Sequence, residues 1–315
     1  MSRRARVYAI VGAAAAVAVG AVAAVVALSG GGGSAPAAVL KGTPPLELDL
    51  GVRDDSQAKA LARAAALYAH GKPDAAARIF DRYRSTQAQV GAALAGWPDG
   101  TIDRLGQLAA AHPDSAFVQL HLGFALYWAR QIDKAVEAWR AAKKAQPDSL
   151  SAVRADDFLH TGYNRGLPTF VPTFPAPHLT SRDDRGRLAE LAARRDLHDR
   201  IWYGITLERL GHPLSAERVF AEAARMAPND PDAQVAAAVG RFDKDHPERA
   251  FSRLGPLTRR FPHASTVRFH LGLLLLWLGE VKAGKRQLRF AVKAEPGSTL
   301  SKEAAVFLRK LPSKR

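Results

Sequence analysis

Pro113 and Pro147, and later Pro228, Pro262 and Pro296, stand 34 residues apart within two blocks. A fixed period of that length marks a chain built of repeated supersecondary units, each burying its apolar face against the next. Each proline follows an Ala-rich or basic helical pattern, the stop signal of a proline just beyond a last helical turn. Upstream of Pro147 lie Leu122, Gly123, Ala135, Trp139 and Ala142. Upstream of Pro296, Leu271, Gly272, Gly284, Leu288 and Ala291 keep the same offsets, and Gly204, Ala216, Phe220 and Ala223 keep four of the five before Pro228. The unit is helix, turn, helix, and the fold class is all-α.

This pattern resembles the tetratricopeptide repeat, whose period is 34 and whose small residues at positions 8, 20 and 27 let two antiparallel helices approach closely. The best copy is Ser115 to Asp148, and weaker ones span Asp81 to Asp114 and Asp230 to His263, which share an RLGxL at Arg104 to Leu108 and Arg253 to Leu257. Gly284 replaces the usual alanine at position 20, and Leu126, Leu207 and Leu275 replace the usual tyrosine at position 11. The resemblance implies a right-handed superhelical array of about seven helix pairs. It also implies that the chain is a non-catalytic scaffold for protein or peptide partners.

The repeats fall into two halves, 56–148 and 196–297. HPDSAFVQLHLGFALYW from His112 matches FPHASTVRFHLGLLLLW from Phe261 at an offset of 149, and Gly71-Lys72-Pro73 parallels Gly211-His212-Pro213 at 140. A tandem duplication of a three-repeat half accounts for both. Between the halves, 149–195 reads as an interrupted repeat: a first helix at Leu150 to His160 and its returning partner at Arg182 to Asp196. The intervening 161–181 carries Pro168, Pro172, Pro175 and Pro177 among Phe170, Val171 and Phe174, which denies it helix and predicts an extended backbone. A loop that long inside a compact array is commonly functional. Residues 298–315 supply a cap helix and a basic tail.

Val7 to Leu28 has no charged residue and follows Arg3, Arg4 and Arg6 in the segment 1–6. As a helix it would run roughly 33 Å, enough for a hydrocarbon core of about 30 Å. The bordering arginines place the amino terminus in the cytoplasm and the rest of the chain outside. The expectation is one uncleaved transmembrane helix at 7–28, a flexible linker over 29–55, and an array outside the cell membrane. The Ala/Arg-rich composition and the kind of anchor suggest a bacterial cell envelope.

The absence of cysteine excludes disulfides, thiolate nucleophiles and thiolate-ligated zinc. No HExxH, GxSxG, SxxK set or phosphate-cradling Gly-rich loop is present, so no catalytic, cofactor or metal-binding residue is assigned. Asp156-Asp157 and Asp183-Asp184 flank the insertion. Adjacent residues on a helix do not face each other, so both pairs read as helix-terminal solvation and capping. His121 and His270 hold equivalent places 149 residues apart and read as packing residues.

The net charge is +15, and residues 241–315 hold 17 Lys/Arg against 6 Asp/Glu. Lys282, Lys285, Arg286, Arg289 and Lys293 recur every three or four residues along one helix face. Such a stripe suits a polyanion or an anionic membrane surface, and export argues against nucleic acid.

The resemblance also implies a concave groove lined by positions 2, 5, 9, 12 and 13 of each first helix. These are Phe117, Leu120, Phe124, Tyr127 and Trp128 in one half, and Thr266, Phe269, Leu273, Leu276 and Trp277 in the other. Family members that clamp a terminal carboxylate carry Lys and Asn at positions 5 and 9; Leu120 with Phe124 and Phe269 with Leu273 cannot do so. A groove this apolar calls for cover. Either a partner supplies it, or the 161–181 loop folds back with Phe170 and Phe174 as its contacts.

Overall fold

The structure, a computed structural model, describes residues 40–311. The expected anchor at 7–28, the amino-terminal 1–6, the start of the linker and the last basic residues lie outside them. Among the described residues there are fifteen α-helices and no strand, and no helix is long and apolar enough to cross a membrane. The chain divides into two compact units, one formed by 54–146 with the segment ending at Leu50, the other by Pro147 onward with 51–53.

The first unit contains α1 (Ser56–Ala69), α2 (Pro73–Phe80), α3 (Thr86–Ala95), α4 (Thr101–Ala111), α5 (Ala116–Trp128) and α6 (Ile132–Ala145). They pack as the consecutive pairs α1/α2, α3/α4 and α5/α6, each pair stacked on the next. The second unit contains α7 (Leu150–Leu159), α8 (Asp184–Ala193), α9 (Leu197–Arg209), α10 (Pro213–Met226), α11 (Pro231–Val239), α12 (Glu248–Arg260), α13 (Ser265–Trp277), α14 (Val281–Ala294) and α15 (Thr299–Lys310). Its pairs are α9/α10, α11/α12 and α13/α14, and α15 covers the last of them.

Local chemistry explains these boundaries. Five of the six first helices begin at a side-chain cap: Asp55, Ser85, Ser115, Asp196 and Asp230 each accept a bond from a backbone N–H two or three residues on, while α13 starts at Ala264 without one. The cap satisfies one of the orphan donors of the first turn. Between the helices of a pair the chain reverses through a left-handed residue, Gly71 (φ 70°), Gly211 (φ 82°) and Gly279 (φ 77°), with Arg130 (φ 62°) taking the same conformation before α6. Gly211 meets a second constraint, since a Cβ there would lie 2.6 Å from Leu150 Cα at the start of α7.

The spacing of 16 between Gly123 and Trp139, and between Gly204 and Phe220, is the physical core of the repeat. A Cβ on Gly123 would lie 2.3 Å from Trp139 Nε1, and one on Gly204 would lie 2.4 Å from Phe220 Cε1. The bulky side chain of the second helix therefore sits directly on the backbone of the first. Gly123→Ala is expected to cost about 3 kcal/mol through overpacking. Gly106→Ala in α4, where no atom lies within 4 Å, is expected to gain up to about 1 kcal/mol from helix propensity. Thermal unfolding of the two variants checks the contrast. Gly106 and Gly255 of the shared RLGxL, then, serve no close helix crossing.

Two sequence expectations need correction. α8 does not return against α7; it packs on α9. The interrupted segment is thus not a repeat, and the packed pairs number three in each unit where about seven were expected in all. Residues 40–50, assigned to the linker, are ordered along the first unit, because Leu46, Leu48 and Leu50 alternate on an extended backbone and find apolar cover there.

Candidate functional site

Each unit has an apolar face on its first helices, and each face is covered by an extended piece of the same chain. In the first unit Phe117, Leu120, Phe124 and Trp128 are buried and Tyr127 is half-buried. Across this unit runs the segment 40–50. Leu40 N–H donates to Trp128 O at 2.8 Å, and Tyr68 Oη–H donates to the carbonyl of the buried Pro44 at 2.7 Å. Glu47 N–H donates to His121 Nε2 at 3.1 Å.

His121 is fully buried, and its ring is held from the other side by Nδ1–H donating to Phe117 O at 2.7 Å. That bond assigns the tautomer, leaving Nε2 as the acceptor for the extended backbone. Phe117 and Phe124 flank the ring at centroid distances of 4.3 and 5.5 Å. Burial lowers its pKa from 6.5 to about 4, against the carbonyl bond, which favours the charged form. The ring is neutral at neutral pH.

The second unit repeats this device. His270 is buried, its Nδ1–H donates to Thr266 O at 2.7 Å, and its Nε2 accepts Val171 N–H at 2.9 Å. Burial again lowers its pKa to about 4. The neighbouring Phe170 is 1% exposed; its ring stacks on His270 at 4.8 Å and meets Phe220 edge-on at 6.3 Å. Phe170 N–H points to Glu208 Oε2 at 3.4 Å, and desolvation raises that carboxyl to about 8 despite this bond and Arg209. Thr173 gives both its N–H, at 3.0 Å, and its hydroxyl to Asp232 Oδ2. Phe174 stacks on His198 at 3.9 Å, and Trp202 Nε1–H donates to Pro175 O at 2.9 Å. Farther on, Thr180 and Ser181 donate to Glu190 of α8, and Arg194 to His178 O.

The insertion is therefore fastened along its length, with Phe170 on His270 and Phe174 on His198. Of the expected lining on this side, Thr266, Phe269, Leu276 and Trp277 are buried and Leu273 half-buried. Phe269 and Trp277 also pack within the helical core, against Phe307 and Phe242. The duplication of His121 and His270 was visible in the sequence; their shared task of accepting a main-chain N–H was not. The only signal was a histidine repeated in an otherwise apolar helix.

Of the basic stripe on α14, Lys282, Arg286, Arg289 and Lys293 are exposed and Lys285 is half-buried. Gly284, Leu288 and Ala291 occupy the opposite, buried face. Phe290 is also exposed, with the Arg268 guanidinium 5.3 Å over its ring.

Asp156 and Asp157 depart from the sequence reading. Both are buried near the end of α7. Asp157 pairs with the buried Lys244 Nζ at 2.5 Å, with Arg154 at 3.4 Å, and with Gly166 N–H at 2.7 Å. Asp156 turns the other way, to His160. Asp183 does cap α8, accepting from Gly186 N–H.

Comparison with known proteins adds a family match: residues 117–149 fit the model described as tetratricopeptide repeat. No curated protein matches the chain. Among solved structures, YrrB, described as a TPR protein with an unusual peptide-binding site, is 13% identical over 64% of this chain and 97% of its own, at a TM-score of 0.31. A tetratricopeptide repeat protein from Parabacteroides merdae is 10% identical over 81% and 98%, at 0.33. The TPR2AB-domain:pHSP90 complex of yeast Sti1 is 12% identical over 81% and 98%, at 0.31. The matched stretch is the α5/α6 pair in which Trp139 closes on Gly123, and over that stretch the chain fits the tetratricopeptide repeat.

Proposed function

We propose that this chain is a membrane-tethered scaffold for protein–protein interaction in a bacterial cell envelope, acting without catalysis. The observation that carries the scaffold reading is the paired histidine device. Each unit presents a neutral, buried imidazole that accepts a main-chain N–H and so holds an extended segment whatever that segment's side chains. Repeat helices that grip extended backbone in this way are suited to peptide and protein partners. With 40–50 and 167–175 lying on these faces, partners either displace them or use the outer surfaces. The tether and the envelope location rest on Val7 to Leu28 and its flanking arginines.

Full-length protein made in bacterial cells is expected to stay with the membrane pellet after alkaline extraction, and to yield partners when cross-linked in the envelope. Release into the supernatant would sink the tether, and the absence of any cross-linked protein beyond the chain itself would sink the scaffold.

The exposed cations of α14 favour a second reading, contact of that face with an anionic surface. Sedimentation with anionic vesicles is expected to weaken steeply between about 50 and 200 mM salt. Arg286→Glu with Arg289→Glu should abolish it, and binding that is indifferent to salt excludes this reading.

A further inference from the structure

The two segments that lie across the unit faces share more than a bond to histidine. Glu47 and Val171, whose N–H groups reach His121 and His270, are 124 residues apart (171 − 47). At that offset Gly42-Thr43-Pro44-Pro45-Leu46-Glu47 matches Gly166-Leu167-Pro168-Thr169-Phe170-Val171. The chain bends at Lys41-Gly42 and again at Arg165-Gly166, with both glycines left-handed (φ 87° and 76°), and runs on extended. Pro44 and Pro168 are both buried. Leu46 packs on the core of the first unit, and Phe170 enters that of the second. The helices answer in the same register. Tyr68, which donates to Pro44 O, and Glu208, which faces Phe170 N–H, are equivalent at the offset of 140 that relates Gly71 to Gly211.

The matched residues are those whose chemistry such a face can read. No atom lies within 4 Å of a Cβ built on either glycine, so the requirement there is the left-handed conformation and not space. Proline holds the backbone extended before docking and so lowers the cost of ordering it. In an extended chain residues two apart share a face, which sets the buried proline and the apolar residue two positions on against the helices together. The residues between them differ in kind, Thr43 and Pro45 against Leu167 and Thr169. So do Glu47 and Val171, whose part at the imidazole is a main-chain N–H.

We propose that the two faces are one kind of peptide site, selective for an extended segment of the form Gly-x-Pro-x-apolar-x, and that a partner protein presents such a segment and displaces the resident one. This rests on the scaffold reading above and specifies its ligand. The resident segment competes at a high effective concentration, so the test loosens it. Fluorescein-labelled peptides spanning 40–50 and 164–174 are titrated by anisotropy into full-length protein: wild type, Gly42→Val, and Pro44→Ser with Leu46→Ser. Gly42 is exposed, so Gly42→Val strains the bend and leaves the helices in place, which circular dichroism verifies for both variants. Both peptides should bind both variants about 10-fold more tightly than they bind the wild type. Gly166→Val in the second peptide, or Pro168→Ser with Phe170→Ser, should weaken that binding about 10-fold, and Val171→Thr should leave it unchanged. Equal binding by the altered peptides overturns the motif, and no binding of either peptide to either variant overturns the site. Dimerisation of the variants without uptake of peptide would assign the faces to a second copy of the chain and overturn the proposal as well. Envelope partners cross-linked by a chain that binds neither peptide would uphold the scaffold and overturn this assignment of its ligand.

Discussion

Replacing Phe170 by Ser should lower the stability of the second unit by about 4 kcal/mol and its melting temperature by roughly 10 °C. The side chain is 1% exposed and fills the space between His270 and Phe220. Its loss leaves a cavity against both rings, and a serine there recovers none of the apolar contact. Phe174→Ser should cost far less, about 1 kcal/mol, because Phe174 is half-buried and stacks only on the edge of the unit, against His198. Calorimetry of the two variants separates them. An unchanged melting temperature in Phe170→Ser, together with unchanged tryptophan fluorescence, would show that the insertion does not hold the groove face.

Acidification is expected to loosen the first unit before the second. His121 ionises near pH 6.5 when unfolded and near 4 when folded, so between these values the unfolded chain binds more protons. Stability therefore falls as the pH drops through that window. The full effect is about 3 kcal/mol, complete at about pH 4. The physical event is specific, since a proton on Nε2 turns the acceptor of Glu47 N–H into a donor facing a donor. His270 carries the same liability, but the second unit also holds Glu208, raised from 4.5 to about 8 by desolvation. That group works in the opposite sense: the folded state binds its proton more readily, so lowering the pH from 8 to 4.5 relieves a cost. Between pH 6.5 and 4.5 it offsets part of the loss at His270, while the first unit has no such compensation from His121's neighbours Phe117 and Phe124.

Amide hydrogen exchange should register the difference. The protection factor of Glu47 N–H should fall about 10²-fold between pH 6.5 and 4, that of Val171 N–H by less, and His121→Gln should flatten the Glu47 profile. Equal losses at the two amides would contradict the role given to Glu208. Unchanged protection at Glu47 would contradict the histidine acceptor itself.

The helices, their caps and their turns were legible because the signals are local. A cap acts within three residues, a turn glycine on its own φ, and the 16-residue spacing of Gly123 with Trp139 fixes one helix crossing without help from the rest of the chain. The same logic misled at α7 and α8: both have helical patterns, yet α8 finds its apolar partner on α9, and the sequence does not say which of two neighbouring helices offers that face. RLGxL is shared by the two halves, yet its glycines, Gly106 and Gly255, meet no close neighbour.

The sequence left the cover of the grooves open between the 161–181 loop and a partner, and gave no sign of 40–50. Glu47 reaches His121 across 74 residues, and Val171 reaches His270 across 99. Both of these bonds run through the main chain, which every residue shares, so the identities of Glu47 and Val171 do not announce them. The 34-residue period determined that this chain would stack helix pairs, because each pair leaves an apolar face that only another pair can bury. Which residues lie across the faces left over was decided only when the folded helices brought a buried imidazole nitrogen within reach of a passing N–H.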